Sequence, residues 1–558
     1  MKEEVVKILV NVLKKLDANM KSDEISNYIE IPPSSDLGDF AFPCFFLAGK
    51  LKRSPEQIAL EIREEIGDSF KKTMFDEITT SGPYVNFYVN RKEMVMNILR
   101  EIQSKGEKYG AVNIGKGKKA VIEHTSINPN ASPHVGRARN AIIGDSIVKI
   151  LEYVNFKPEV HYYVNDVSKQ IAMLVVAKAE NKKFSEMLKL YVDISKKMQK
   201  DPQIEQQAFF WLRRFEAGDK PAVTKFKKIT ATCLKGQKEI LADLGIHYDL
   251  FDYESDYLKK ARKILEQLKT TKRLHQDKDG RWYVDQSNTP ILKKMKFPAL
   301  VLTRSDDTGL YPLRDLAYNI DKLKIAQRNI VVLGEDQKLY QMQIGEVLKL
   351  LNSKSPEVVH YSFILLSHNG KHKKMATRKG EVVLLEDFLE DVTKKAEREI
   401  KKRKTKGDPR VVGIAAVKYK ILKNSPNKII NFNLDEALQF EGDTGPYLLY
   451  SYARANSILK KSKKKPSVSV TELDDKEIAL IKKIGEYPQI ISKAYKDLNP
   501  SIIASYSYSL AQSFNEFYHA CPVIGEKNEM FRISVVKSFK IILKTSLALL
   551  GIKTLEVM

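Results

Sequence analysis

The residues best suited to chemistry lie in two basic, glycine-bearing stretches far apart in the chain. One is Glu123-His-Thr-Ser-Ile-Asn128-Pro-Asn130-Ala-Ser-Pro133-His134-Val-Gly136-Arg137-Ala-Arg139-Asn140, and the other is Ser367-His-Asn-Gly370-Lys371-His-Lys373-Lys374-Met375-Ala376-Thr377-Arg378-Lys379-Gly380. Lys119–Glu123 reads as a short buried strand, Asn128 to Pro133 as a turn, and Ala138 to Tyr153 as a helix with apolar residues at helical spacing. A strand–turn–helix junction of this kind suits a phosphate, because a helix start presents free N–H groups and the positive end of the dipole. Gly136 lacks a Cβ and lets a flat base or ribose approach the backbone, while His134 and Arg137 offer donors to phosphate oxygens. Taken alone, these four residues fit a helix-start histidine with a packing glycine better than they fit a nucleotide site.

Further blocks lie between and after these stretches. They are Tyr162-Tyr163-Val-Asn165-Asp166, Arg304-Ser-Asp306, Tyr311-Pro-Leu-Arg314-Asp315-Leu-Ala-Tyr318 and Phe440-Glu441-Gly-Asp443-Thr-Gly-Pro446-Tyr447-Leu-Leu-Tyr450. His134 to Arg137 and Lys374 to Arg378 resemble the His-x-Gly-His and Lys-Met-Ser-Lys-Ser signatures of class I aminoacyl-tRNA synthetases. In order and spacing the whole set resembles the arginyl-tRNA synthetases, from near residue 35 to the end. The chain departs from the family at Arg137, where histidine is usual, and at Thr377, where a lysine is usual. A replacement cation is then required, for which Lys374, Arg378, Lys118 and Lys119 are the candidates.

The resemblance implies ligation of L-arginine to tRNA-Arg at the expense of ATP, with Mg2+ accompanying the ATP and no structural metal. His134, Arg137, Lys374 and Arg378 would act on the phosphates, and His134, Gly136, Arg137, Lys371, Lys374, Met375 and Thr377 would hold ATP. Asn128, Glu254, Tyr311, Asp315 and Gln337 match the arginine-binding positions. A guanidinium carries a permanent charge and five donors, so a selective pocket needs carboxylates placed for forked bonds. Read without the flanking blocks, Glu254 is a solvated acidic loop and Asp315 a buried partner of Arg304 or Arg314. Asn86, Tyr447, Tyr450, Phe514, Tyr518 and Met558 are the tRNA contacts the family suggests, although Asn86 fits a sheet edge, and both Tyr447/Tyr450 and Phe514/Tyr518 a helix-bundle core. A monomer is the family expectation.

The elements that must position these residues divide the 558-residue chain. It is too long for one core. Residues 1–112 read as a small α/β domain contacting the tRNA elbow, with Val5, Ile8, Leu9, Val12, Leu13 and Leu16 on one helix stripe and Ser54-Pro55 opening another helix. Residues 113–405 alternate strands (157–164, 299–302, 329–333 and 359–366) with helices, the pattern of a doubly wound, Rossmann-like parallel sheet, with a helical insertion near 175–245. Lys394 to Lys406 carries eight basic against two acidic residues before Gly407-Asp-Pro409 breaks it, and 406–558 reads as an all-α anticodon-binding bundle.

Lys+Arg total 94 against 70 Asp+Glu, a net charge of +24 that favours a polyanionic partner. A generally basic proteome, or life in a hot or saline setting, would produce the same balance. Cys44, Cys233 and Cys521 form no C-x-x-C pair, which argues against a disulfide framework or cysteine zinc site. No cleavable leader or membrane-length apolar run is evident, so a cytoplasmic location is expected. Adenylyltransferases that never touch tRNA share the first signature, and a non-catalytic tRNA-binding relative would share the scaffold; the helical final third opposes the former and intact Glu254, Asp315 and His134 the latter.

Overall fold

The computed structural model describes residues 2–368, 371–373 and 383–558. Contacts divide the chain into one unit of Met1–Gly106, Ser462–Gly485 and Glu516–Ser538, and a second of Glu107–Lys461, Glu486–Asn515 and Phe539–Met558.

In the first unit, strands β1 (Phe40–Pro43), β2 (Phe75–Ser81) and β3 (Tyr84–Val89) form an antiparallel sheet in the order β1-β3-β2. The helix Lys2–Lys15 buries Val5, Val6, Leu9, Val12 and Leu13. The helix Pro55–Ile66 opens with a capping box in which Ser54 accepts from the N–H of Gln57, as its Ser-Pro start predicts.

The second unit is built on β4 (Lys119–Glu123), β5 (Lys157–Val164), β6 (Leu250–Tyr253), the antiparallel trio β7 (Leu274–Gln276), β8 (Trp282–Asp285) and β9 (Ala299–Val301), then β10 (Arg328–Gly334) and β11 (Glu357–Tyr361). Strands β11-β10-β4-β5-β6 make a five-stranded sheet in that order, every neighbouring pair parallel. From β4 the chain steps outward through β5 to β6, then returns to the other side of β4 for β10 and β11. The crevice outside the carboxyl ends of β4 and β10 is therefore the topological switch point, where open α/β sheets hold ligands.

The strand expected at 299–302 is not part of this sheet: β9 pairs with β8 in the separate order β7-β8-β9. Leu300 of β9 and Leu302 just after it join the core of Tyr163, Leu313 and Tyr318. The strand expected at 359–366 is also divided. It breaks at Ser362 and Phe363 into β11 and β12 (Ile364–His368), and β12 pairs with β13 (Lys371–Lys373) and with β14 (Ile430–Phe432). The helices Phe184–Lys200, Pro202–Glu216 and Lys220–Asp243 fill the connection between β5 and β6, with a core of their own around Met187, Leu212, Phe215 and Phe226. The later helices of the unit include Leu385–Lys402, Pro409–Leu422 and Gly445–Lys461.

Candidate active site

Strand β4 delivers the chain to the switch point at Glu123, and the backbone then bends sharply. Thr125 has φ 89° and Ser126 φ 35°, a conformation costly for a β-branched residue and the kind of strain that a surrounding structure must over-determine. Asn140 supplies the restraint: its Oδ1 accepts from the Thr125 N–H at 2.8 Å and its Nδ2 donates to Val332 O at 2.9 Å, spanning β4 and β10. The next turn is held from the inserted helices. Gln237, fully buried, donates from Nε2 to Asn128 O (3.0 Å) and Ala131 O (2.8 Å), and the Tyr162 hydroxyl lies 3.0 Å from both Ile127 O and Gln237 Oε1.

This fixed turn ends at His134, the residue that caps the helix Val135–Tyr153 with extended backbone (φ −94°, ψ 158°). No side chain caps this helix start, where the positive end of the dipole favours an anion. Burial, aided by the Arg137 charge, pushes the His134 imidazole down to about 4, so the ring is neutral near pH 7. Its Nδ1 is buried without a partner among the described residues. Gly136 lies in the first helical turn, and Arg137 is exposed. Within the same helix, Gly144 packs so closely on the buried His124 ring that a Cβ would strike it.

Both flanks of the second basic stretch are tied to this helix. Upstream, Arg139 is fully buried, and its guanidinium donates to the carbonyls of Ser362 (2.7 Å), Phe363 (3.2 Å), Ser425 (3.3 Å), Pro426 (2.9 Å) and Lys428 (2.7 Å). That clamp divides β11 from β12 and seats the β12–β13 hairpin beside the first motif. Downstream, the Val135 N–H donates to Val383 O at 3.2 Å, the Leu385 N–H to Pro133 O at 2.8 Å, and the Ser132 hydroxyl to Glu386. Lys371 lies in β13; Lys374, Met375, Thr377 and Arg378 lie outside the described residues. The candidate replacement cations Lys118 and Lys119 both fall at the amino edge of the sheet. Lys119 opens β4 at the amino edge of the sheet, about 13 Å from the carboxyl edge at ~3.3 Å per residue, and leans toward Glu159 instead.

An acidic cluster lies at the ends of β5 and β6. Glu254 follows β6 directly and is fully buried, which excludes a solvated loop. Its Oε1 accepts from Arg314 Nε at 2.6 Å, and its Oε2 has no partner among the described residues. Burial lifts Glu254 to about 7, against the lowering effect of Arg314. Asp315, 6% exposed, is raised to about 6, by burial first and then by the Glu123 charge. It bonds to neither Arg304 nor Arg314: Asn319 Nδ2 and the Tyr340 hydroxyl donate to it at 2.9 and 3.0 Å, while Arg304 pairs with Glu216 at 3.1 Å. Tyr311 stands between Tyr163 (ring centroids 6.4 Å) and Tyr340 (5.6 Å), forming an aromatic wall. The Tyr163 hydroxyl, Asn165 Oδ1 and Gln170 Oε1 are buried and unpartnered as well. Buried polar atoms are satisfied in nearly all native sites, so the orphaned Glu254 oxygen and Tyr163 hydroxyl, interacting with each other and with Asp315, mark a place suited to a polar, cationic ligand. Asn128 lies in the turn after β4 that Gln237 holds; Gln337 is exposed after β10 and bonds to Asp336.

The model of the class I (R) tRNA synthetase catalytic domain matches residues 98–435, the arginyl-tRNA synthetase N-terminal domain model residues 3–89, and the DALR anticodon-binding domain model residues 448–558. The chain belongs to the arginyl-tRNA synthetase family. It is 36% identical to the arginine–tRNA ligase of Methanocaldococcus jannaschii, with 98% of each chain covered, and 34% identical to that of Halothermothrix orenii, with 99% covered. The solved arginyl-tRNA synthetase of Thermus thermophilus superposes with TM-score 0.81 at 25% identity and full coverage of both chains. That of Plasmodium falciparum, at 21% identity, has the same fold, with TM-score 0.79 over 100% of this chain and 99% of the other.

The remaining synthetase residues named from sequence fall in different environments. Tyr447 and Tyr450 are half-buried on the helix Gly445–Lys461: Asn515 Nδ2 donates to the Tyr447 hydroxyl at 2.6 Å, and Arg454 lies 4.8 Å over the Tyr450 ring. This aromatic and cationic cluster retains open surface. Phe514 does not. It is fully buried and stacked on Phe539 at 3.8 Å, so the expected base contact is corrected to core packing. Asn86 is corrected likewise, being 3% exposed within β3 between β1 and β2. Tyr518 is 38% exposed, and Met558 is half-buried near Gly407. Arg139, Asn140 and Gln237 went unassigned in the sequence; an arginine and an asparagine on the apolar stripe of a helix are the local signal for the first two, and Gln237 has none.

Among the described residues, no cluster of His, Cys, Asp or Glu is arranged to hold a metal ion, and no helix is long and apolar enough to cross a membrane.

Proposed function

We propose that the chain is an arginine–tRNA ligase that activates L-arginine with ATP and transfers it to tRNA-Arg. The observation that carries the reading is a buried cluster with an orphaned carboxylate oxygen on Glu254, a second carboxyl on Asp315 and an aromatic wall, in the same sheet-end region as a helix start that suits phosphates. A guanidinium satisfies both carboxyls and leaves its stem against Tyr311; a compact ammonium satisfies fewer of those acceptors.

The arginine carboxylate attacks the α-phosphorus of ATP, forming the P–O bond of arginyl-adenylate as the bond to pyrophosphate breaks. A ribose hydroxyl of the tRNA terminal nucleotide then attacks the adenylate carbonyl, and AMP leaves with the bonding pair. Such chemistry is governed by alignment and by offsetting charge on the phosphates. His134 serves as a neutral donor, Gly136 leaves room for the adenosine, and Arg137 with Lys371, Lys374, Met375, Thr377 and Arg378 closes on the triphosphate. Asn128 and Gln337 hold the substrate's amino end, and Mg2+ would arrive on the ATP oxygens, as it commonly does where a protein supplies no cage. The tRNA is read by Tyr447, Tyr450, Tyr518 and Met558, and the three-domain division 1–112, 113–405 and 406–558 is supported by the family matches at 3–89, 98–435 and 448–558. Activation depends on bound tRNA, and the enzyme works as a cytoplasmic monomer.

Charging total tRNA with each amino acid separately tests the reading. Arginine alone should be attached. Attachment of another amino acid would overturn the pocket assignment, and pyrophosphate exchange with no attachment at all would favour an adenylyltransferase.

A further inference from the structure

The inserted helix Pro202–Glu216 ends in a carboxylate that local structure does not favour. A negative group at a helix C-terminus is opposed by the dipole, and the Glu216 side chain is only 8% exposed. Two guanidinium groups offset both effects. Arg304 Nη1 donates to Glu216 Oε2 at 3.1 Å, and Arg314 Nη1 lies 3.9 Å from Glu216 Oε1. Arg314 Nη1 also donates to Gly309 O at 2.6 Å, and Arg304 Nη1 to the Thr308 hydroxyl oxygen at 2.9 Å, so the two arginines and the loop between them close a ring on the carboxylate. The ring joins parts that pack separately: Phe215 sits in the core of the inserted helices, whereas Leu313 belongs to the core of Tyr163 and Tyr318. Glu216 therefore reaches from the insertion to the cation that holds Glu254.

Arg314 meets Glu254 through a single bond. Its Nε donates to Oε1 at 2.6 Å, and Oε2 has no partner among the described residues, although a guanidinium beside a carboxylate frequently takes both oxygens in a fork. Burial works against the Arg314 charge, and Glu254 first, with Glu216 after it, more than offsets that burial. The two carboxylates thus share one buried cation, and the share taken by Glu216 bears on what remains free at Glu254.

We propose that Glu216 is a positioning residue for the amino-acid site, drawing Arg314 toward the insertion so that Glu254 keeps one oxygen for the substrate guanidinium. The proposal rests on the reading of Glu254 as an arginine-binding residue and adds to it a carboxylate that the substrate does not touch. Without the Glu216 charge, Arg314 closes its fork on Glu254 and occupies the oxygen that the substrate requires.

The test is a double-mutant cycle on the full chain at pH 8: arginine affinity of the wild type, Glu216→Gln, Glu254→Gln and the double variant, read by NMR titration, which extends to millimolar Kd, with ATP affinity measured beside it. Glu216→Gln should raise the arginine Kd about tenfold, or ~1.4 kcal/mol, and leave the ATP Kd within about twofold. In the Glu254→Gln background the carboxylate at stake is gone, so adding Glu216→Gln should change the arginine Kd by less than about twofold. A merely structural role would give equal losses in both backgrounds or a parallel loss of ATP binding; either result, or an unchanged arginine Kd in Glu216→Gln alone, would overturn the proposal. If Glu254→Gln by itself binds arginine as the wild type does, the assignment of Glu254 to the guanidinium fails and takes this proposal with it, an outcome distinct from a Glu216 variant that is silent while the Glu254 variant is not.

Discussion

Lowering the pH should weaken arginine binding, with Glu254 as the titrating group. Its carboxyl is raised to about 7 by burial, with one oxygen on Arg314 and the other without a partner among the described residues. A guanidinium placed against the free oxygen favours the ionised form, so the substrate must expel the proton wherever the empty site holds one. The sign follows: affinity is complete above the empty-site value and falls as pH drops below it. For one group at about 7, the apparent Kd scales as 1 + 10^(7 − pH), about 1.1 at pH 8 and about 11 at pH 6, a tenfold loss. Asp315, raised to about 6, steepens the fall below that point. Equilibrium dialysis of labelled arginine from pH 5.5 to 8.5 reads the curve, and calorimetry in buffers of different ionisation heats counts the protons released near pH 7. Glu254→Gln is the control. It should bind arginine more weakly at pH 8 by the ~2–5 kcal/mol of a lost buried charged contact, and show a flatter profile between pH 6.5 and 8. A wild-type profile that is flat from pH 6 to 8, or a glutamine variant with the full wild-type slope, would refute the assignment of Glu254 to the guanidinium.

Arg139→Lys keeps the charge but cannot reach the carbonyls of Ser362, Phe363, Ser425, Pro426 and Lys428 together. It should lower kcat for ATP–pyrophosphate exchange at least tenfold while the arginine Kd, measured directly, stays within about twofold, because the clamp holds the start of β12, which leads to Lys371, and not Glu254 or Asp315; an unchanged kcat would show that the hairpin seats itself without the clamp. Lys418 is 1% exposed, donates to Gly551 O at 2.7 Å and lies 3.7 Å from Asp145; burial pushes its amine down from 10.5 to about 8. The unfolded chain therefore binds the proton more tightly than the folded one between those values, so stability should rise by ~3 kcal/mol from pH 8 to 10.5. Chemical denaturation of the wild type and Lys418→Met across that range isolates the effect, and parallel curves would remove Lys418 as its source.

What could be read from sequence follows the range of the interactions involved. Lys119–Glu123, the turn and the helix after it are set by neighbours in the chain, so apolar spacing and the proline- and asparagine-rich turn were sufficient to place His134 at a helix start. The Ser54-Pro55 helix start is local in the same way. Membership of the parallel sheet is not local. Residues 299–302 have the composition of an inner strand, but an apolar strand can bury its side chains against helices from either kind of sheet, and here it joins β8. The run from 359 to 366 would be one strand by composition. It is two because a guanidinium some two hundred residues earlier takes the carbonyls at its midpoint.

The same distinction explains the site. Glu254, Tyr311 and Asp315 were locatable because a family motif marks each, while the groups that fix the strained turn were not. Gln237 holds Asn128 and Ala131 from a helix more than a hundred residues downstream, and an isolated glutamine on a polar insertion looks like any solvated side chain. The aromatic pairs show the converse. Tyr447 with Tyr450 and Phe514 with Tyr518 carry equivalent spacing signals, but Phe514 is sealed against Phe539 while the Tyr450 ring remains half-open beneath Arg454. Spacing reports which side chains share a helix face; whether that face meets water, RNA or another helix depends on residues that the spacing does not contain.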